Sequence, residues 1–543
     1  MKRLLFALLL SPLLAHAEIK LPAFIADHMV LQRDAAVPLW GWATPGEEVT
    51  VSFAGQSKAA KADEKGKWLV KLDPLAASAE SREMKIGSRV IKDVLVGEVW
   101  LASGQSNMGF PLSSAHNADQ AIAGAGDPLL RFFTVQNATA AEPQNDLRGR
   151  WDLSDPNTAK AFSAVAYFFA RDLRAKLGVP VAILHSSWGG TPAQAWLSMD
   201  ALRDSPAFEN HAKSYAAALI KHRDVLAHPE NMDAYRQDLA RWQKEVAPAF
   251  NDAMRVWNAG PKTGPKPVPA RPEPANPDPM DIPSPSSRPG TPSVIFNAKI
   301  APLAGYAMRG ALWYQGEANA GNGIEYRSLL PRLIGDWRKR WGQGDFPFLV
   351  VQLAAWDMDK SPAPSHQWPW LREAQSMTVK TVPNTALAVA IDVGNPADVH
   401  PKGKEPVGQR LALAARKLAY GETQLVASGP VFREAKAEGA TMSVTFTETG
   451  SGLTIGPAPW RAEGDAQWPQ DRLIGFALAG QDRAWHDAEA RIEGDSVIVS
   501  SPAVTKPIAV RYAWANSPRC NLYNTEGLPA APFRSDDWPM QKK

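Results

Sequence analysis

Hydrophobic and polar positions change rhythm twice along the chain. In residues 18–92 they alternate in short runs (37–40, 49–53 and 68–72) separated by Thr44-Pro45-Gly46 and Glu64-Lys65-Gly66. A period of two bounded by Pro and Gly turns predicts short strands, hence a small β-rich domain. From 93 onward the apolar runs become continuous, at 94–102, 179–185, 309–314, 346–353 and 386–392, and read as buried strands. Between them lie segments of helical period. In 159–177, Phe162, Val165, Ala166, Phe169, Leu173 and Leu177 share one face and Gly178 is the stop. Further helices are predicted near 325–341, 371–381 and 407–420. Buried strands alternating with helices imply an α/β body, a parallel sheet covered on both faces, over 93–420.

Two stretches interrupt that body at 200–292. Residues 200–258 predict a helical pair, at 211–225 and 231–257. Residues 261–292 hold 12 of the 46 prolines, a density no helix or central strand tolerates, so an exposed extended loop is expected. After 421 the pattern turns β-rich again, through 510–513 to the end at 543, and no internal repeat is found.

Residues 1–17 read as a secretory signal peptide: Met1-Lys2-Arg3, an apolar run from Leu4 to Leu14, then Ala15-His16-Ala17. Export to a bacterial periplasm or medium is the expectation, with no membrane attachment once the leader is removed. The 59 Lys+Arg and 56 Asp+Glu nearly balance, which gives no support to nucleic-acid binding through a basic face. A single cysteine, Cys520, excludes an internal disulfide and a Cys-based zinc site. His-Glu-x-x-His, a phosphate loop and a Gly-x-Gly-x-x-Gly helix start are all absent from the sequence, so neither metal nor cofactor is expected.

In an open parallel sheet, ligands gather beyond the carboxyl ends of the strands. The residues at those ends here are Ser106 after Gly104-Gln105, Gly189-Gly190, Gln315-Gly316-Glu317, a segment from Gln352 to Trp356, and a loop from Asp392 to His400. A hydroxyl nucleophile, free backbone N–H groups, amide donors and an Asp/His pair suit acyl transfer. Of ten histidines, His400 in Asp398-Val399-His400-Pro401 stands between the last sheet strand and the last helix. Residues i and i+2 of an extended segment point the same way, so Asp398 is expected to reach the His400 ring. His185, ending an interior strand, is expected to be a satisfied core residue. Among 20 tryptophans, Trp188, Trp313, Trp356, Trp368 and Trp370 neighbour the strand ends, each either a core residue or a stacking platform for a ligand ring; Trp188, Trp313 and Trp356, with Asn107 beside them, are the candidate substrate contacts. A carbohydrate-binding protein without catalysis is the alternative from another class. Gly-x-Ser-x-Gly, which an α/β-hydrolase requires, is missing around Ser106.

Gly104-Gln105-Ser106-Asn107-Met108, Ser187-Trp188-Gly189-Gly190-Thr191-Pro192, Trp313-Tyr314-Gln315-Gly316-Glu317-Ala318-Asn319 and Asp398-Val399-His400-Pro401 together resemble the sialate O-acetylesterase group of SGNH hydrolases. Asp27-His28-Met29-Val30-Leu31-Gln32, the segment from Val510 to Asn516 and Asn521-Leu522-Tyr523-Asn524 extend the likeness over nearly the whole chain. The resemblance implies an SGNH-type, flavodoxin-like sheet flanked by helices and by N- and C-terminal β-rich regions. It also implies removal of acetyl groups from sugar hydroxyls, acetylated oligosaccharides (of sialic acid or plant hemicellulose) being the substrate. Carried over, Ser106 is the nucleophile, His400 the base and Asp398 its acid. The oxyanion hole takes the Ser106 N–H, Gly190 or else Gly189, and Gln315 or else Asn319. The superfamily spaces its Asp and His three apart; here they are two apart, which keeps Asp392 in reserve as the acid. Gln-Gly-Glu replaces the usual Gly-x-Asn-Asp, and Glu317 is read as a support rather than a base.

Overall fold

The computed structural model describes residues 19–260, 267, 288–356, 367–456, 469 and 471–539. The expected leader and nearly all of the proline-rich loop fall outside these.

The body is built on a sheet of 11 strands. Its central part comprises β1 (Arg89–Gly104), β2 (Asp127–Val135), β3 (Gly149–Ser154), β4 (Val181–Ser187), β5 (Gly310–Tyr314), β6 (Phe348–Val351) and β7 (Thr385–Ala388). They lie in the order β7-β6-β5-β1-β4-β2-β3, all pairs parallel except β2 with β3. After β1 the chain lays β2 and β3 toward one edge, inserts β4 between β2 and β1, then crosses to build β5, β6 and β7 outward on the other side, so the strand order reverses at β1.

Side chains alternate between two cores, as a sheet covered on both faces requires. Val99, Leu101, Ala311 and Trp313 face α2 (Gly323–Trp341) and α3 (Gln367–Thr381). Trp100, Ala102, Leu312 and Tyr314 face α1 (Ala164–Leu177) and α4 (Lys404–Ala419). Ser163 caps α1 by accepting from the Ala166 N–H, and Gly178 closes it in the left-handed conformation.

Strand β1 is 16 residues long because it serves two regions. Its first half pairs with Ser78–Ile86 and Val30–Gln32 of the N-terminal β region; its second half is the middle of the parallel sheet. No linker separates them. The C-terminal strands form a separate core around Val444, Leu478, Val499, Val510 and Tyr512.

Two features differ from the sequence expectation. Among its described residues the insertion holds three long helices, Glu209–Ala227, Pro229–Glu245 and Ala247–Ala259, where a pair is expected. The break falls at Val246, because Pro248 starts a new helix where it has no N–H to lose. Strands β2 and β3 carry no clear sequence signal; Asp127, Pro128 and Arg131 break the apolar run, although Arg131 is buried against Asp93.

Candidate active site

Register brings the sequence motifs together. Ser187 and Tyr314 both pair with Gly104, so β4, β1 and β5 end side by side and their next residues share one ledge. Gly104 has φ +138°, and a Cβ there would lie 2.1 Å from the Tyr314 carbonyl oxygen, so only glycine fits. Immediately after it, the Gln105 N–H donates to Tyr314 O at 3.0 Å, and the Met108 and Gly109 N–H groups both return to Gln105 O. That tight turn leaves Ser106 partly exposed at the reversal point of the sheet.

His400 arrives from the loop after β7. Gly394 lets the loop lie directly on the Ala355 backbone, where a Cβ would come within 2.3 Å of a carbonyl oxygen. The His400 Nε2 then stands 2.8 Å from Ser106 Oγ, across 294 residues of sequence. Asp398 Oδ1 accepts the His400 backbone N–H at 2.8 Å and lies 3.7 Å from Nδ1. A carboxylate two residues before a histidine closes an Asx-type turn onto the peptide N–H. The ring is therefore approached, not gripped. Asp392 is elsewhere: it is buried in a two-bond pair with Arg410 at 2.7 and 2.6 Å and accepts from the Tyr523 hydroxyl at 3.1 Å.

The third wall is the turn after β4. The Trp188 N–H donates to Gly104 O, and a Cβ on Gly189 would stand 3.2 Å from Ser106 Cβ. Gly190, with φ +72°, faces open space, so the glycine against Ser106 is Gly189. Among the described residues, neither the Ser106 nor the Gly189 N–H has a protein acceptor. Behind this turn Lys299 is fully buried, donating to Ser187 O at 2.9 Å and Asn137 Oδ1 at 2.6 Å. Burial pushes its ammonium down to about 7. His185 bonds Ser187 Oγ at 2.9 Å and burial holds its ring down at about 3.

Three expected contacts are corrected. Gln315 is fully buried, its amide donating to Asn319 Oδ1 at 2.7 Å and Thr191 O at 3.2 Å, so both N–H groups are spent on bracing the glycine turn. Trp313 is fully buried because its position on β5 faces the α2 side, edge-on to Trp196 and Trp337. Asn107 is 1% exposed, with its amide donating to Val399 O and Glu317 Oε1. Asn319 accepts from the Ala193 N–H and donates to Gln194, which also ties down that turn. Trp368 and Trp370 are buried as well, whereas Trp188 and Trp356 remain partly exposed.

Sequence reasoning missed Lys299, Lys404 and the Gln105 side chain, whose Oε1 accepts from the Gly316 and Ala318 N–H groups at 3.3 and 3.2 Å. Gln105 stood inside a motif and was legible in principle. The two lysines carried no local signal. Among the described residues, no group of three or more His, Cys, Asp or Glu is arranged to hold a metal ion, and no helix is long and apolar enough to cross a membrane.

Residues 293–417, from the segment before β5 to most of α4, match a family described as "Carbohydrate esterase, sialic acid-specific acetylesterase". The sialate O-acetylesterase of Mus musculus is 29% identical, over 94% of this chain and 93% of its own. That of Homo sapiens is 28% identical, over 94% and 91%. A crystal structure described as a novel carbohydrate acetylesterase from Xanthomonas citri is 36% identical, covers 96% of this chain and 100% of its own, and superposes with a TM-score of 0.75.

Proposed function

The chain belongs to the sialate O-acetylesterase group of carbohydrate esterases and is a carboxylic ester hydrolase, and from that premise we propose that it deacetylates sugar hydroxyls through an acetyl-Ser106 intermediate on an SGNH-type scaffold. The observation that carries this reading is the 2.8 Å contact of Ser106 Oγ with His400 Nε2 at the carboxyl end of the strand where the sheet order reverses.

In this mechanism His400 takes the Ser106 proton as Oγ attacks the acetyl carbonyl carbon. The carbonyl oxygen becomes an oxyanion facing the free N–H groups of Ser106 and Gly189, a preorganised pair that gains strength as charge develops. His400 then gives its proton to the departing sugar oxygen. Water, deprotonated by the same imidazole, attacks the acetyl-enzyme and releases acetate. Asp398 stabilises the imidazolium by its charge at 3.7 Å. Gly189 replaces Gly190 as the glycine donor, and Gln315 with Asn319 serves the hole indirectly by bracing the turn that carries it.

The substrates proposed are acetylated oligosaccharides, of sialic acid or of plant hemicellulose, met outside the cytoplasm after export on the leader. The half-exposed Trp188, in the turn beside Ser106, supplies an apolar face for a sugar ring. Acetate release from acetylated sialosides and acetylated hemicellulose oligosaccharides, compared side by side, tests this. At least one class should far outpace a simple aryl acetate in kcat/KM, and failure on both would overturn the substrate reading.

A further inference from the structure

The Ser106 turn and the His400 loop are joined by a second connection that bypasses the Ser–His contact. Asn107, next to Ser106, gives one amide hydrogen to the carbonyl of Val399, the residue before His400, at 2.9 Å. The other goes to Glu317 Oε1 at 2.5 Å. Its own carbonyl oxygen accepts from Lys404 Nζ. Lys404 opens α4, is 1% exposed, and lies over the rings of Phe110 (4.8 Å) and Tyr314 (5.3 Å). The charged groups facing it are Glu317, from the turn after β5, and Asp398, from the histidine loop.

An asparagine amide has two ends of similar shape and opposite hydrogen-bonding sense. A lysine offers donors only. With Lys404 fixed at the oxygen end, the nitrogen end must point at Val399 O and Glu317, both acceptors. A flipped amide would set its oxygen against those two acceptors and its N–H groups against the ammonium. Resting on the acyl-enzyme reading above, we infer that Lys404 is a positioning residue for the catalytic histidine, acting through the orientation of Asn107.

Burial pushes the Lys404 ammonium down to about 7, against the pull of Glu317 and Asp398. The proton is held below that pH and lost as pH rises through it, so the charge-assisted grip on Asn107 weakens on the alkaline side. Glu317, raised by burial and with Oε2 unpartnered among the described residues, then loses its facing cation.

The test is Lys404→Met, which keeps an unbranched apolar stem between the two rings, assayed with an aryl acetate from pH 5 to 10. A displaced general base predicts a kcat about 10- to 100-fold lower with KM nearly unchanged. It also predicts that wild-type kcat should fall as pH rises through about 7 and that this fall should be absent from the variant. Asn107→Asp is the second variant: it keeps an oxygen for Lys404 and replaces both donors by acceptors, so kcat should fall at least as far. Wild-type kcat and pH profile in Lys404→Met would overturn the inference, as would wild-type kcat in Asn107→Asp, which decides alone if the lysine variant fails to fold. Ser106→Ala runs beside them. If it turns over, the acyl-enzyme reading itself has failed; if it is inactive while Lys404→Met is fully active, only the positioning role is overturned.

Discussion

At the scale of single residues, charge near the reacting atoms is set by distance and exposure. Asp398 is 3.7 Å from the His400 ring and its side chain is 50% exposed, so water screens much of its attraction for an imidazolium. In the proposed mechanism His400 itself exchanges the proton and has no substitute. Asp398→Asn should therefore retain far more activity than His400→Ala, by roughly tenfold or more, a gap seen where the acid of a triad contributes less than its base. Steady-state kcat for the two variants on one aryl acetate checks this; equal losses would mean that Asp398 grips the ring during turnover. Residue identity was the most legible level in the sequence. Ser106, His400 and Asp398 were singled out and are brought together, because strand-end position already restricts where reactive groups lie. Trp313, Asn107 and Gln315 misled for a common reason: adjacency in sequence says nothing about which face of a strand or turn a side chain takes. Trp313 and Tyr314 point to opposite cores, although both precede the same motif.

Elements supply the geometry that the residues alone lack. Strands β4, β1 and β5 end in register at Gly104, and the two contacts there, Ser187 and Tyr314, fix where Ser106 and the glycine turn emerge. A Cβ at 104 would meet Tyr314 O at 2.1 Å and would also be strained at φ +138°. Gly104→Ala should destabilise the fold by at least about 2 kcal/mol. In whatever fraction folds, Ser106 should be displaced from His400. Thermal unfolding together with the rate of acylation by an aryl acetate tests both parts, and a fully stable, fully active variant would contradict the role given to the glycine. Most of these elements were legible from periodicity; the strand 94–102 expected from its apolar run is the buried half of β1. Strand β2 stayed hidden because its buried charge, Arg131, is neutralised by a tertiary partner, Asp93. That partner lies outside any local window, whereas the helix break is signalled locally by Pro248 itself.

On the scale of the whole molecule, the C-terminal β region is fastened to the α/β body directly behind the histidine loop. Arg372 of α3, fully buried, donates to the carbonyls of Leu353 and Ala354 in the body and of Ala515 and Asn516 in the C-terminal region. Asp392 opens the loop that leads to His400, and its Arg410 pair is joined by Tyr523 from the C-terminal side. Asp392, held in reserve as a catalytic acid on sequence grounds, thus has an architectural place. Its nearness to His400 in sequence could not reveal that, since its partners lie 18 and 131 residues away. The N-terminal region shares β1 with the sheet but pairs with its first half, at the end away from the ledge where Ser106, His400 and Gly189 meet. If an ester's acetyl group passes through Ser106 as proposed, acetate release should collapse in Ser106→Ala. With the fold verified by circular dichroism, the variant's rate should lie at least about 10³-fold below wild type on an aryl acetate and on an acetylated oligosaccharide. Turnover within tenfold of wild type by the folded variant would contradict it.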